Sequence, residues 1–143
     1  MKYYAVIDTN VLVSALLSKH EDSGTVKVLR AILSGVIKPV YSKEIIEEYY
    51  EVLHRKEGKY NFTTRNISAI IEAIVKTGIK LSGIQTDETP SDPKDVIFYE
   101  VTMDARREHD AHLVTGNIKD FPIKPFVVTP AEMMQVIDGK RKK

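Results

Sequence analysis

Hydrophobic positions along the chain form two alternating kinds of segment. Short apolar runs are typical of buried β-strands, whereas longer segments with apolar residues every three or four positions are typical of amphipathic helices. The pattern predicts strands at 2–7, 38–41, 79–81, 111–115 and 125–129, and helices at 11–17, 24–34, 43–54, 64–77, 93–107 and from 130 onward. Strands that alternate with helices imply right-handed crossovers, and therefore an α/β fold with a parallel sheet covered by helices on both faces.

Acidic residues lie directly after the first predicted strand and at the start of the helix predicted at 93–107. In a parallel sheet of this type, ligand sites lie beyond the carboxyl ends of the strands, near the point where the strand order reverses. Asp8 directly follows the most apolar strand, and it is either a site residue or a cap for the next helix. Asp92 precedes a proline and can cap the helix at 93–107, so that Asp95 falls in the first helical turn, where the helix dipole favours a carboxylate.

The helix at 43–54 contains four glutamates, and its periodicity distinguishes one of them. Its predicted buried face consists of Ile45, Ile46, Tyr49, Tyr50 and Leu53. Glu48 lies beside Val52 and is the acid nearest to that face, whereas the other three glutamates point towards solvent. Glu48 is thus either a site residue or an ordinary solvated side chain.

Asn117 and Asp120 follow the strand at 111–115, where a Gly-Asn pair also suits a plain turn. Carboxylates from separate segments that meet on one rim would repel one another and raise one another's pKa. A hard divalent cation such as Mg²⁺ or Mn²⁺ relieves this repulsion, activates water and offsets charge on a phosphodiester. The set of acids therefore favours metal-dependent phosphodiester hydrolysis.

Charge and composition limit how this protein could bind a polyanion and which chemistries it could use. The formal net charge is +1, but the last four residues are all basic, and the rest carries 17 positive and 20 negative charges. A domain with this excess of negative charge needs a local basic patch or a metal ion to bind a polyanion. The chain has no cysteine, which excludes thiol catalysis and cysteine-ligated metals. The four histidines, which show no ligand spacing, are expected at the surface; they are His20, His54, His109 and His112.

The length of 143 residues suits one domain over 1–138, with a disordered basic tail at 139–143. Hydrophobic residues make up 43% of the chain, yet no apolar run approaches the roughly 20 residues that a membrane helix needs. The N-terminus lacks an export signal, and we therefore expect a cytoplasmic protein that does not enter a membrane.

The order of short motifs resembles that of PIN-domain proteins, most closely the toxin branch of bacterial toxin–antitoxin systems. The motifs are VIDTNVL at 6–12, SKEIIEEY at 42–49, DPKD at 92–95, LVTGNIKDF at 113–121 and VVTPAE at 127–132. The resemblance covers about residues 2–137. It implies a three-layer α/β/α sandwich with a central parallel sheet of four or five strands, a pocket for Mg²⁺ or Mn²⁺, and hydrolysis of single-stranded RNA.

Position by position, the resemblance assigns roles to named residues. Asp8, Glu48 and Asp95 match the first three acids of the metal site. The fourth place falls on Asn117, which is not acidic, and Asp120 three residues later is the alternative. The resemblance also implies a cognate antitoxin protein as a partner, and a homodimer.

Three more positions follow from the same comparison. Asn10 and Thr115 match polar positions of the pocket and would orient ligands or metal-bound water. Lys94 stands where relatives often carry an acid, and it would either contact a phosphate or weaken the metal site. Lys94 and the unsettled fourth acid leave open a second hypothesis, a PIN fold that binds RNA or protein without cutting.

Two other α/β classes share an acid after the first strand. A phosphoacceptor signalling domain needs an aspartate after its third strand, but residues 25–83 contain none. A haloacid-type phosphatase needs a second aspartate two residues after the first, and position 10 is Asn. The sequence therefore disfavours both.

Overall fold

The computed structural model describes residues 2–57, 63–88 and 90–139. Over these ranges the strands are β1 (Tyr3–Ile7), β2 (Ile37–Tyr41), β3 (Ile79–Lys80), β4 (His112–Val114) and β5 (Val127–Val128). The helices are α1 (Thr9–Leu17), α2 (Gly24–Leu33), α3 (Lys43–Lys56), α4 (Thr64–Thr77), α5 (Pro93–Ala105) and α6 (Pro130–Ile137), with a short 3₁₀ helix at Ile118–Asp120. The elements alternate as the hydrophobic pattern predicts.

All five described strands run parallel in one sheet, in the order β3-β2-β1-β4-β5. The chain moves outward from β1 to β2 and β3, then returns to the other side of β1 for β4 and β5. The strand order therefore reverses between β1 and β4, and a crevice opens there at the carboxyl ends of the two strands. Helices flank the sheet, and the predicted α/β/α sandwich is confirmed.

The central strands are buried because helices cover the sheet. Ala5, Val6 and Ile7 of β1 have no exposed surface. α5 packs on β1, β2 and β4, α4 packs on α3 and β2, and α2 packs on α1 and α6. The main chain continues the sheet into the crevice: the Asp8 N–H donates to the Val114 carbonyl at 2.9 Å.

Local capping chemistry sets several helix starts. The Ser42 hydroxyl accepts the Ile45 N–H at 3.2 Å at the start of α3. Thr129 forms a reciprocal capping box with Glu132 at the start of α6. Pro93 is the first residue of α5, as its missing N–H and restricted φ favour. Each of these caps joins residues that are close in the sequence.

Two expectations about exposure were wrong. His112, expected at the surface, is only 1% exposed because β4 lies between β1 and β5 and is buried along its length. Tyr50, assigned to the buried face of α3, is exposed and its ring stacks on His54 with centroids 5.8 Å apart. The helix packs through Ile45, Tyr49 and Leu53 instead.

The ends of some elements also differ from prediction. α1 begins at Thr9 rather than Val11, directly after β1. The predicted strand at 125–129 is reduced to two residues in β5, which lies at the edge of the sheet. The predicted loop at 116–120 contains the 3₁₀ helix.

Gly139 follows α6 with φ +75°, and the basic residues 140–143 lie outside the described residues. Among the helices of the described ranges, none is long and apolar enough to span a bilayer.

Candidate active site

Asp8 lies at the centre of the crevice. It occupies the N-cap position of α1 with extended backbone angles (φ −64°, ψ 143°) and is 7% exposed. Within the described residues its side chain accepts no capping hydrogen bond from α1. Asp8 Oδ2 instead accepts the Thr115 hydroxyl at 2.7 Å, across the point where the strand order reverses. Asp8 therefore stands at the N-cap position of α1, while its carboxylate makes a tertiary hydrogen bond with Thr115.

The surroundings of Asp8 disfavour its negative charge. Burial raises the pKa of the Asp8 carboxyl, and the charge of Glu48 raises it further. The Thr115 hydroxyl, which donates to the carboxylate, and the nearby backbone N–H groups of Thr9 and Asn10 lower the pKa, but burial has the larger effect. A cation in the crevice would favour the ionised form.

Glu48 reaches the same crevice from α3. Its side chain is half-buried, whereas Glu44, Glu47 and Glu51 are exposed, as the helical periodicity predicts. Glu48 Oε2 accepts the Thr9 hydroxyl at 3.0 Å, and Thr9 is itself buried. The contact sets the carboxylate of Glu48 beside the residue that follows Asp8.

The first turn of α5 supplies two acids with different surroundings. Asp92 is exposed and caps the helix, since Oδ1 accepts the Lys94 N–H at 2.9 Å. Asp95 is half-buried at the third helical position. The structural interpretation of Asp92 as a cap is confirmed, and Asp95 is the α5 acid that faces the crevice. Lys94 is exposed between them.

The loop after β4 contributes polar groups to the rim. The Asn117 N–H donates to the Thr115 hydroxyl oxygen at 3.0 Å, so that Thr115 links this loop to Asp8. The Gly116 N–H lies 3.4 Å from Asn10 Oδ1, which joins the loops after β4 and β1. Asn117 and Asp120 are both exposed, and the Asp120 N–H donates to the Asn117 carbonyl at 3.0 Å.

The negative charges of four acids act on the carboxyl of Asp95. The pKa of Asp95 is raised to about 6, first by burial and then by the negative charges of Asp8, Asp92, Asp120 and Glu48, in that order. The four charged groups with the largest effects on the pKa of Asp95 are all acids. Residues far apart in sequence thus create one region of negative potential at the rim.

The donor set suits a hard divalent cation. Among the described residues, no three His, Asp or Glu side chains are arranged to hold a metal ion directly. Mg²⁺ keeps several waters and needs only one or two carboxylates as direct ligands, with further acids reached through water. Asp8, Glu48 and Asp95 offer oxygen ligands of this kind. Burial is the main cause of the raised pKa values of Asp8 and Asp95, and a cation would offset the repulsion from neighbouring acids that adds to it.

The raised pKa of Asp95 predicts a pH dependence of stability. An unfolded aspartate ionises near pH 3.9, so between about pH 4 and 6 the unfolded state loses this proton while the folded state keeps it. We expect the free energy of unfolding of the metal-free protein to fall over this range, and Asp95→Asn to remove part of the fall. Urea unfolding in EDTA, at pH values from 4 to 7, measures both. A wild-type-minus-Asp95→Asn difference that stays flat with pH would contradict the prediction.

Sequence reasoning missed two residues that shape the site. It assigned no role to Thr9, which holds Glu48. It placed Tyr49 only on the buried face of α3, although the Tyr49 hydroxyl donates to the Ile7 carbonyl at 2.5 Å. Burial, followed by the charges of Asp8 and Glu48, raises the pKa of Tyr49 and keeps the phenol a donor. Their places beside Asp8 and Glu48 in the sequence were the available signal.

The structure defines an α/β/α protein whose acids gather where the strand order reverses, the position at which open parallel sheets bind ligands. A family model described as PIN domain matches residues 4–119. The chain therefore belongs to the PIN-domain family, whose members are generally nucleases that use divalent metals. No curated protein and no solved structure matched the chain significantly.

Proposed function

We propose that this PIN domain is a Mg²⁺- or Mn²⁺-dependent ribonuclease that hydrolyses phosphodiester bonds of single-stranded RNA. The observation that supports it best is that acids from three other segments, Asp8, Glu48 and Asp120, act on Asp95 at the start of α5. Concentrated negative charge at a crevice repels a polyanionic substrate unless a cation intervenes. A metal-dependent reaction is therefore the chemistry that this site suits.

Asp8, Glu48 and Asp95 are the residues that we assign to hold the metal, with Asn117 or Asp120 completing the set. When bound, a divalent ion lowers the pKa of a water ligand and offsets charge on the phosphodiester. Thr115, which is fully buried, orients the Asp8 carboxylate through its hydroxyl. These contacts hold the ligand oxygens in place before substrate arrives.

Substrate binding would involve the polar groups around the acids. Lys94 is exposed in the first turn of α5, next to Asp95, and we assign it a contact with a substrate phosphate. Asn10 holds the loop that carries Asn117 through the Gly116 N–H, so it would orient that side of the pocket. RNA as the substrate class rests on the resemblance to PIN ribonucleases.

The biological role that we propose is that of the toxin in a toxin–antitoxin pair. This role implies a cytoplasmic location, a cognate antitoxin protein and a homodimer. Copurification of the chain expressed with its neighbouring genes tests it, and recovery of a stoichiometric neighbour-encoded protein is expected. Recovery of the chain without such a protein would argue against the toxin role and leave the nuclease proposal intact.

Calorimetric titration with Mn²⁺ tests the proposed metal site. We expect wild type to bind Mn²⁺ and the Asp8→Asn, Asp95→Asn double variant to lose binding, because two charged ligands become neutral amides. Circular dichroism must show both proteins folded. Equal binding by the two would place any metal elsewhere on the chain and contradict the assignment.

A second candidate function is a PIN fold that binds RNA or a protein without cutting. Two observations favour it: Asn117 stands where the resemblance to the family places an acid, and no three acids among the described residues are arranged to hold an ion directly. Metal-dependent cleavage of a diverse RNA pool by wild type, absent in the double variant, would exclude this candidate.

A further inference from the structure

Tyr49 makes a buried link between two elements of the site. It follows Glu48 on α3 and is 1% exposed. Its hydroxyl donates to the carbonyl oxygen of Ile7 at 2.5 Å. That carbonyl belongs to the peptide bond that joins Ile7 to Asp8, at the end of β1. One hydrogen bond therefore ties the helix that carries Glu48 to the peptide that carries Asp8.

The same side chain also contacts the third acidic element. The Tyr49 ring packs against Phe98 of α5, with ring centroids 6.4 Å apart. Phe98 lies one helical turn beyond Asp95 and is buried. Tyr49 thus touches β1 and α5 and lies on α3, the three elements that carry Asp8, Glu48 and Asp95.

A second link joins α3 to the first residue of α1, where the Thr9 hydroxyl donates to Glu48 Oε2 in a partly buried hydrogen bond of 3.0 Å. This contact occupies a carboxylate oxygen that a metal ion would use. The Tyr49 contact uses only a backbone carbonyl and leaves every acid oxygen available. It can therefore hold Asp8 and Glu48 at a constant separation in both the empty and the loaded site.

We propose that Tyr49 is a positioning residue, whose hydroxyl sets the separation of Asp8 and Glu48 for binding a divalent cation. This inference rests on the proposed function. Removal of the hydroxyl deletes the tie between the end of β1 and α3 that uses no carboxylate oxygen, while the ring keeps its packing against Phe98. Because metal ligands must be placed to within a fraction of an ångström, affinity depends on the residues that hold them.

The test compares Tyr49→Phe with Tyr41→Phe by calorimetric titration with Mn²⁺. Tyr41 is a matched control: it is buried, and its hydroxyl also donates to a backbone carbonyl, that of Val75 at 3.1 Å on α4. We expect the Kd of Tyr49→Phe to rise about tenfold or more, the size typical of lost outer-shell support. The Kd of Tyr41→Phe should stay within about twofold of wild type, since outer-shell support is intact.

Amide hydrogen exchange by NMR, in the absence of metal, gives a second measurement. The Asp8 N–H, which donates to Val114, should exchange faster in Tyr49→Phe than in Tyr41→Phe. If the two variants lose equal Mn²⁺ affinity and equal protection at Asp8, Tyr49 is a stability residue only and the proposal is overturned. Failure of Tyr49→Phe to fold, with Tyr41→Phe folded, overturns it as well.

The outcomes separate this proposal from the proposed function. Wild type that binds no Mn²⁺, or binds it as well as Asp8→Asn does, contradicts the metal-dependent function. Exchange at Asp8 then decides alone whether Tyr49 positions the end of β1. Wild type that binds Mn²⁺, with Tyr49→Phe and Tyr41→Phe indistinguishable, contradicts only the role of Tyr49.

Discussion

Asp8→Asn is expected to reduce Mn²⁺-dependent cleavage of single-stranded RNA by at least about 100-fold without unfolding the protein. The amide has nearly the same shape as the carboxylate, and its oxygen can still accept the Thr115 hydroxyl. What it loses is the negative charge at the centre of the crevice. Initial cleavage rates on a fluorescent RNA, at saturating Mn²⁺, measure the effect.

Asp8→Asn is expected to lower activity but not stability. Burial raises the pKa of Asp8, so ionisation at pH 7 costs the metal-free folded state more than the unfolded state. Asp8→Asn removes this cost, and the melting temperature in EDTA at pH 7 should equal or exceed that of wild type. A lost activity together with a lowered melting temperature would mean that Asp8 supports the fold rather than the reaction.

Asp110→Asn is the matched control for charge. Asp110 is exposed and lies two residues before β4, at the amino end of that strand, whereas the crevice lies at the carboxyl ends of the strands. Its carboxylate lies 3.4 Å from Arg106 in a surface ion pair, which is worth little. Cleavage by this variant should match wild type. An equal loss of cleavage in both variants would contradict a specific role for Asp8.

Gly78→Ala is expected to lower the free energy of unfolding by about 3 kcal/mol, as overpacking against rigid neighbours does. A Cβ at Gly78 would collide with the Pro39 carbonyl oxygen and lie 2.6 Å from the Ile74 carbonyl oxygen. Both are backbone atoms, and neither can rotate away. The substitution therefore has to separate the end of α4 from β2, which pack together.

Urea unfolding followed by circular dichroism measures this loss, with Gly116→Ala as the control. A Cβ at Gly116 meets only the Asn10 side-chain oxygen, at an ordinary distance of 3.7 Å. We expect the midpoint of Gly116→Ala to stay close to that of wild type. If the two variants shifted the midpoint equally, the contact between Gly78 and Pro39 would not be a rigid one.

Gly78 has one property that follows from the local sequence and another that follows only from packing. From the sequence it is the residue that ends the helix at 64–77, and α4 indeed ends at Thr77. Its φ is −92°, within the range that other residues adopt, so helix termination alone does not require glycine here. The requirement comes from Pro39, about 40 residues away in the chain, and only packing shows it.

Some residues of the candidate site are likewise placed by local patterns, whereas others depend on tertiary packing. The placement of Asp8 after β1 and of Glu48 near the buried face of α3 follows from strand and helix periodicity, and both placements were predicted. Burial of His112 was not predicted, because it depends on β4 lying between two other strands. Whether Asn117 or Asp120 completes the candidate metal set stays a prediction for mutagenesis.

The sequence by itself determined the alternation of strands and helices, most helix starts and the acids that stand at their ends. These properties depend on side-chain periodicity and capping, which act over a few residues. Only the tertiary structure decided that Thr115 contacts Asp8 across 107 residues and that Tyr49 contacts Ile7 across 42. Such contacts depend on strand order and helix packing, and a local pattern contains neither.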